Sequence, residues 1–220
     1  MNAKQTAARK AVEFVQEGMV VGLGTGSTAY WVIQRLGQRV KEGLRIRAIA
    51  TSLRSETLAR ELAIPIISFA DVQAIDLAID GADEVDPANH LVKGGGGSLV
   101  REKIVAAASR TFIVVVDESK LVPQLGAFPL PVEVVPFGWE ATAHACAALG
   151  CTPTLRMAET QPFVSDNGNY ILDCAFGTIA EPEALAARLN AIPGVVENGL
   201  FLGMVDTLVI GRPDGTYTLR

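Results

Sequence analysis

The sequence predicts an α/β fold: a Rossmann-like parallel sheet with helices on both faces, joined to a smaller ferredoxin-like α+β domain. Three observations lead there. From residue 3 to residue 116, short β-branched runs alternate with amphipathic stretches, the pattern of a parallel sheet covered on both sides. Near Leu130 the order becomes strand, helix, strand, strand, helix, strand, the split βαβ arrangement. Hydrophobic residues make up 49% of the 220 positions, enough for a sizeable core in one large or two small domains. The expected division is residues 1–129 with 206–220, and residues 130–205.

Each element has a local reason. Residues 3–17 form a helix, with Ala7, Ala8, Ala11, Val12, Phe14 and Val15 as its apolar stripe. Met19-Val20-Val21 is a short buried strand running into Gly22, and Ala29 to Val40 is a helix closed by Gly43. Leu44–Ala50 is a strand, and Ser52 or Ser55 caps a helix through Leu62. Pro65–Phe69 and Ile75–Ile79 are strands, Ser98–Ala108 a helix, and Thr111–Val116 a strand of β-branched and aromatic residues. In the second domain come the strand Pro131–Val135, the helix Gly138–Leu149 and the strands Thr152–Met157 and Tyr170–Phe176. The helix Pro182–Ala191 and the strand Val195–Phe201 follow. Asp166-Asn167-Gly168-Asn169 marks a turn between the middle strands. Thr207–Gly211 and Tyr217–Arg220 close the chain as a hairpin across Pro213-Asp214-Gly215.

Charge and cysteine content remove several classes of function. With a net charge of −5 there is no basic surplus to neutralise a polymer's phosphates, so neither nucleic acid nor an anionic membrane is expected as partner. An anionic small molecule would need local positive charge. Cys146, Cys151 and Cys174 form no CxxC, and with only His90 and His144 no zinc spacing exists, so no metal site is expected. Reduced, core-packed thiols fit a cytoplasmic protein. The first residues carry charges throughout and lack a signal peptide's apolar core, and no uncharged stretch is long enough to span a bilayer.

The candidate chemistry follows the predicted strands, at the edge where open α/β sheets bind ligands. Gly22-Leu23-Gly24-Thr25-Gly26-Ser27-Thr28 offers backbone N–H groups, a helix N-terminus and the hydroxyls of Thr25, Ser27 and Thr28 to a phosphate. It lacks the Gly-Lys-Ser/Thr of a Walker A loop and the spacing of a dinucleotide fingerprint. The bland alternative is a tight turn with caps. Asp80 and Asp83 can shuttle protons to sugar hydroxyls, or can belong to a solvated acidic turn with Glu84 and Asp86. Lys93 before Gly94-Gly95-Gly96-Gly97 can stabilise a developing oxyanion, and the glycines let a small ligand approach the backbone. Glu102 shares a helix face with Leu99, Val105 and Ala106, which would raise its pKa and make it a better base. Otherwise it belongs to an exposed stripe with Arg101 and Lys103. Lys120, after Asp117-Glu118-Ser119, can reach a phosphate or end a polar turn, and Lys4 on the first helix is expected to face water.

VGLGTGSTA, TSLRSETLA, IDGADEVD, LVKGGGGSLVREKIVA, DESK, LPVEVVPFGW, DNGNYILD and IPGVVENGLF, in this order, together resemble ribose-5-phosphate isomerase of type A. The likeness runs from the first helix to about Gly211, with a weak stretch over residues 143–160 and Ser98 where alanine is common. It implies a homodimer or homotetramer that interconverts D-ribose 5-phosphate and D-ribulose 5-phosphate without metal or organic cofactor, in the pentose phosphate pathway or in carbon fixation. It further implies that Thr25, Gly26, Ser27 and Thr28 bind phosphate and sugar. Asp80, Gly81, Ala82 and Asp83 match the family's DGAD, and Lys93, Gly94, Gly95 and Gly96 its KGGG. Glu102 matches the proton acceptor, Lys120 the lysine after DES and, loosely, Lys4 a lysine near the phosphate. The implied route opens a furanose with Asp80 and Asp83 and forms a cis-enediolate with Glu102 as base. Rival readings are an amino-sugar-phosphate deaminase or coenzyme A transferase on a related scaffold, a sugar-phosphate sensor, and a dehydrogenase.

Overall fold

The structure is a computed structural model that describes residues 2–220. The chain forms two compact units. The first holds the residues up to Ala82 with Arg101–Lys120 and Met204–Arg220, and the second holds Asp83–Val100 with Leu121–Gly203.

The first unit is built on a six-stranded sheet. From one edge the strands are Tyr217–Leu219, Thr207–Gly211, Phe112–Asp117, Leu77–Asp80, Val20–Leu23 and Arg47–Ala50. Only the terminal hairpin is antiparallel, and the other five strands are parallel in the order 2-1-3-4-5 of a doubly wound sheet. Alternate strand residues face opposite sides. Val21, Leu23, Ile79, Ile113 and Val115 join a core with Ala7, Ala11, Val32, Ile33 and Leu36 of the helices Ala3–Val12 and Ser27–Lys41. On the other face, a Cβ at Gly22 would lie 2.6 Å from Val105 Cγ1 of the helix Leu99–Ala107. Helices therefore cover both faces.

The second unit has a four-stranded antiparallel sheet in the order Val195–Asn198, Leu130–Val134, Tyr170–Ala175, Thr152–Leu155. Its helices are Trp139–Ala147 and Pro182–Asn190, giving the expected split βαβ. Leu130, Val132, Val134, Cys146, Leu172, Cys174 and Leu189 form its interior. All three cysteines are free and buried. Hydrogen bonding with Cys174 lowers the thiol pKa values of Cys146 and Cys151, while the hydrogen bonds Cys174 makes to both, and its burial, raise its own.

Several elements differ from the sequence expectation. The first helix ends at Val12 instead of residue 17, where Arg39 Nη1 donates to the carbonyls of Val12 at 2.7 Å and Val15 at 3.0 Å. Pro65–Phe69 makes only a bridge at Ile66, because Ser68 and Asp71 form a capping box that turns the chain. The strand expected over Val195–Phe201 breaks at Gly199, whose N–H donates to Pro131 O at 2.8 Å and whose carbonyl accepts from Lys93 N at 2.9 Å. Beyond the break, Leu200–Phe201 pairs with Leu91–Val92, which in turn pairs with Glu84–Val85. That small sheet joins Asp83–Val100 to the second unit, whereas the expected division is residues 1–129 with 206–220, and residues 130–205. Among the described residues no helix is long and apolar enough to cross a membrane.

Glu84, read above as part of an acidic turn, is 3% exposed and structural. Its Oε2 accepts from Gly126 N at 2.7 Å and its Oε1 from Phe128 N at 2.6 Å. Glu84→Ala leaves these N–H groups without their acceptor and is expected to cost about 2–4 kcal/mol. Urea unfolding measures it, and a loss below about 0.5 kcal/mol contradicts this role for Glu84.

Candidate functional site

In the first unit the strand order reverses between Val20–Leu23 and Leu77–Asp80, and doubly wound sheets bind ligands beyond the carboxyl ends of such a pair. The first strand leads into Gly24, whose N–H donates to Ile79 O at 2.9 Å. The second ends in Asp80, only 3% exposed. Asp80 Oδ1 accepts from Thr25 N at 3.0 Å and from Gly81 N at 2.7 Å. A Cβ at Gly24 would stand 2.0 Å from that same oxygen, so the glycine makes room for the carboxylate.

Thr25 is tied into the scaffold. Its Oγ1 lies 2.8 Å from Thr51 Oγ1 and donates to Ser52 Oγ at 2.7 Å. Ser55 Oγ donates to Gly24 O at 2.7 Å, and Ser52 caps the helix Leu53–Glu61 through Ser55 N at 3.1 Å. These hydroxyls come from the TSLRS segment after the strand Arg47–Ala50. They hold the Gly24–Thr25 loop from beneath.

Gly26, at φ 101°, swings the chain into the helix Ser27–Lys41, whose N-terminus has no side-chain cap. Lys4 Nζ donates to Ser27 Oγ at 2.7 Å. Of the two directions open to Lys4, site or water, the structure sets its ammonium against Ser27, on a helix that the capping box at Asn2 starts. Gly81 stands next to Thr28, since a Cβ at Gly81 would be 3.6 Å from Thr28 Cβ. An ammonium, a serine hydroxyl and the positive end of a long helix meet here, groups whose charge and donors are complementary to an anion. Lys120 ends the single turn Glu118–Lys120 after the strand Phe112–Asp117, which neighbours Leu77–Asp80 in the sheet. Glu102 is 5% exposed and lies with Val105 and Ala106 on the buried face of its helix, while Ile104 is exposed. Of the two readings of this carboxylate, the buried face is the correct one.

In the second unit, Asp83 Oδ2 accepts from Gly95 N at 2.8 Å. Lys93 is 2% exposed, with its ammonium 5.5 Å from the centroid of the Phe201 ring. Gly94 at φ 104° and Gly97 at φ 81° have the left-handed backbone that glycine tolerates. The protein itself fills much of the space a side chain would need. A Cβ at Gly95 would meet Asp83 Oδ1 at 2.7 Å, and one at Gly97 would meet Phe163 Cζ at 2.4 Å. Contacts within the protein are therefore one reason for glycine at these positions.

Residues 47–215 match the family model for ribose 5-phosphate isomerase A (phosphoriboisomerase A). This chain belongs to the ribose 5-phosphate isomerase A family. Ribose-5-phosphate isomerase A 1 of Oceanobacillus iheyensis is 50% identical over 215 residues, 97% of this chain and 96% of that one. The solved ribose 5-phosphate isomerase A of Methanocaldococcus jannaschii superposes with a TM-score of 0.94 at 41% identity, covering 99% of this chain and 97% of its own. A D-ribose-5-phosphate isomerase solved in complex with phospho-erythronic acid gives 0.95 at 41% identity, covering 100% and 99%. The α/β fold read from the sequence is the fold of these family members.

Within this ribose 5-phosphate isomerase A fold, one feature of each unit escaped the sequence. Thr51, Ser52 and Ser55 support the phosphate-type loop, a role that only the post-strand position of Thr51-Ser52 hinted at. Arg156 donates to the carbonyls of Gly94 at 2.9 Å and Gly95 at 3.2 Å, from a stretch where the family likeness is weak. Gly24→Ala drives a methyl group into the Asp80 carboxylate and is expected to destabilise the protein by about 1–3 kcal/mol. Denaturant midpoints measure it, and a fully stable variant contradicts the packing described.

Proposed function

We propose that this chain interconverts D-ribose 5-phosphate and D-ribulose 5-phosphate. The observation that carries this reading is the match along nearly the whole length of both chains to relatives named ribose-5-phosphate isomerase A. The anion receptor at Ser27 and the buried Glu102 and Lys93 are the chemistry such a reaction needs.

In this reading Ser27, Thr28, Lys4 and Lys120 hold the phosphate dianion by charge, hydroxyls and the N–H groups of the first helical turn. Thr25 keeps that loop in place. Asp80 and Asp83 assist opening of the furanose by proton transfer at the ring oxygen and the anomeric hydroxyl. Glu102 removes the proton from C2 of the open aldose, giving a 1,2-enediolate. Lys93 and N–H groups of the glycine run stabilise its negative charge. Glu102 then delivers the proton to C1. The net change moves one hydrogen from C2 to C1 and one proton from O2 to O1, so aldehyde becomes alcohol and alcohol becomes ketone with no change in overall oxidation state. One base serving both carbons requires them on the same side, hence a cis-enediolate.

Glu102→Gln keeps the shape of the side chain and removes its basicity. It is expected to lower kcat by about 10²–10⁴ while leaving KM close to the wild-type value. Steady-state conversion of ribose 5-phosphate is the measurement. Normal kcat with a large rise in KM would show that Glu102 only binds the sugar, and the assignment would fall.

A further inference from the structure

Arg156 follows the strand Thr152–Leu155 and is held rigidly from one side. Its Nε donates to Asp173 Oδ2 at 3.0 Å and its Nη2 to Asp173 Oδ1, a two-pronged pair with both side chains mostly buried. The Phe163 ring centroid is 5.9 Å from the guanidinium carbon. The remaining donor, Nη1, reaches Gly94 O at 2.9 Å and Gly95 O at 3.2 Å. The same Phe163 ring closes on Gly97.

These contacts fix the direction of the peptides in the glycine run. None of the described peptide bonds is cis, so each N–H points opposite to the carbonyl of its own peptide. With Gly94 O turned to Arg156, the Gly95 N–H faces the other way, where Asp83 Oδ2 accepts it at 2.8 Å. With Gly95 O turned to Arg156, the Gly96 N–H likewise points away from the guanidinium. Gly94 O also accepts from Gly97 N at 2.9 Å. Among the described residues no such turn bond holds Gly95 O, and glycines adopt positive and negative φ with similar ease, so without the fork the Gly95–Gly96 peptide is expected to rotate. We infer that Arg156 is a positioning residue, which with Asp173 and Phe163 aims the Gly95 and Gly96 N–H groups and, through Gly95, sets the Asp83 carboxylate. The inference rests on the isomerase reading for its functional consequence, because there these groups face the opening sugar and the charge that develops on it.

Arg156→Met keeps the length of the stem and removes the fork. It is expected to lower kcat for ribose 5-phosphate by about a hundredfold, with KM within about threefold of wild type. Arg156→Lys restores only part of the loss, since an ammonium has no planar fork. In the same protein, amide exchange followed by NMR is expected to be at least about tenfold faster at Gly95 in Arg156→Met. If Arg156→Met does not fold, Asp173→Asn loosens the fork while keeping the guanidinium, and the same drop in kcat and faster Gly95 exchange are expected. Wild-type kcat, or unchanged Gly95 exchange, in a folded variant overturns the inference. A wild-type protein without isomerase activity overturns the isomerase reading instead, and the exchange measurement then still decides whether Arg156 sets the glycine run.

Discussion

A carboxylate taken out of water must find its hydrogen-bond donors in the protein, and Asp80 finds them in Thr25 N, in the loop that starts the long helix, and in Gly81 N beside it. That requirement organises the first unit around its switch point. Asp80 draws in Thr25 N and Gly81 N, Gly24 gives up its side chain to make the approach possible, and the Thr51, Ser52 and Ser55 hydroxyls brace the loop from below. Once the loop is fixed, the N-terminus of the helix Ser27–Lys41 is fixed as well, and Lys4 has a hydroxyl to meet. Local positive potential in a chain of net charge −5 is thus made from backbone dipoles and one lysine, against the overall field.

The second unit solves a different problem with the same means. Four glycines in a row carry almost no information about their own conformation, and beyond the turn bond from Gly97 N to Gly94 O it is set by neighbours. Asp83 takes one N–H, Arg156 takes two carbonyls, Phe163 closes on Gly97, and Gly199 holds the Lys93 backbone. Each of these neighbours is anchored in turn: Arg156 by Asp173, and Glu84, the residue after Asp83, by Gly126 and Phe128. The flexibility of the run is therefore a property of its sequence and not of its setting in the fold.

What was legible in the sequence is what local physics writes there. Strands ending in glycine or aspartate, a helix face of Glu102, Val105 and Ala106, and the strand–helix order around Leu130 all follow from periodicity and turn chemistry. What escaped depends on partners far along the chain. Arg156 meets Gly94 across 62 residues and Glu84 meets Gly126 across 42, and no spacing rule connects them. The pairs Glu84–Val85 and Leu91–Val92 are two residues long, too short to show an alternation, yet they move a whole segment into the second unit. A hydroxyl in a glycine turn has the chemistry of a ligand donor, and nothing local to Thr25 signals its protein partners. The buried hydroxyls that occupy it come from another strand's end.

The central claim is proton transfer between neighbouring carbons of a pentose phosphate, and NMR in D2O tests it most directly. Purified protein is incubated with D-ribose 5-phosphate until the sugars equilibrate. The expected product is D-ribulose 5-phosphate carrying solvent deuterium at C1, with deuterium at C2 of the ribose 5-phosphate re-formed from it. Ketose that stays free of deuterium through repeated turnover contradicts the enediolate route. A sugar that only broadens on binding and never converts contradicts the isomerase reading itself.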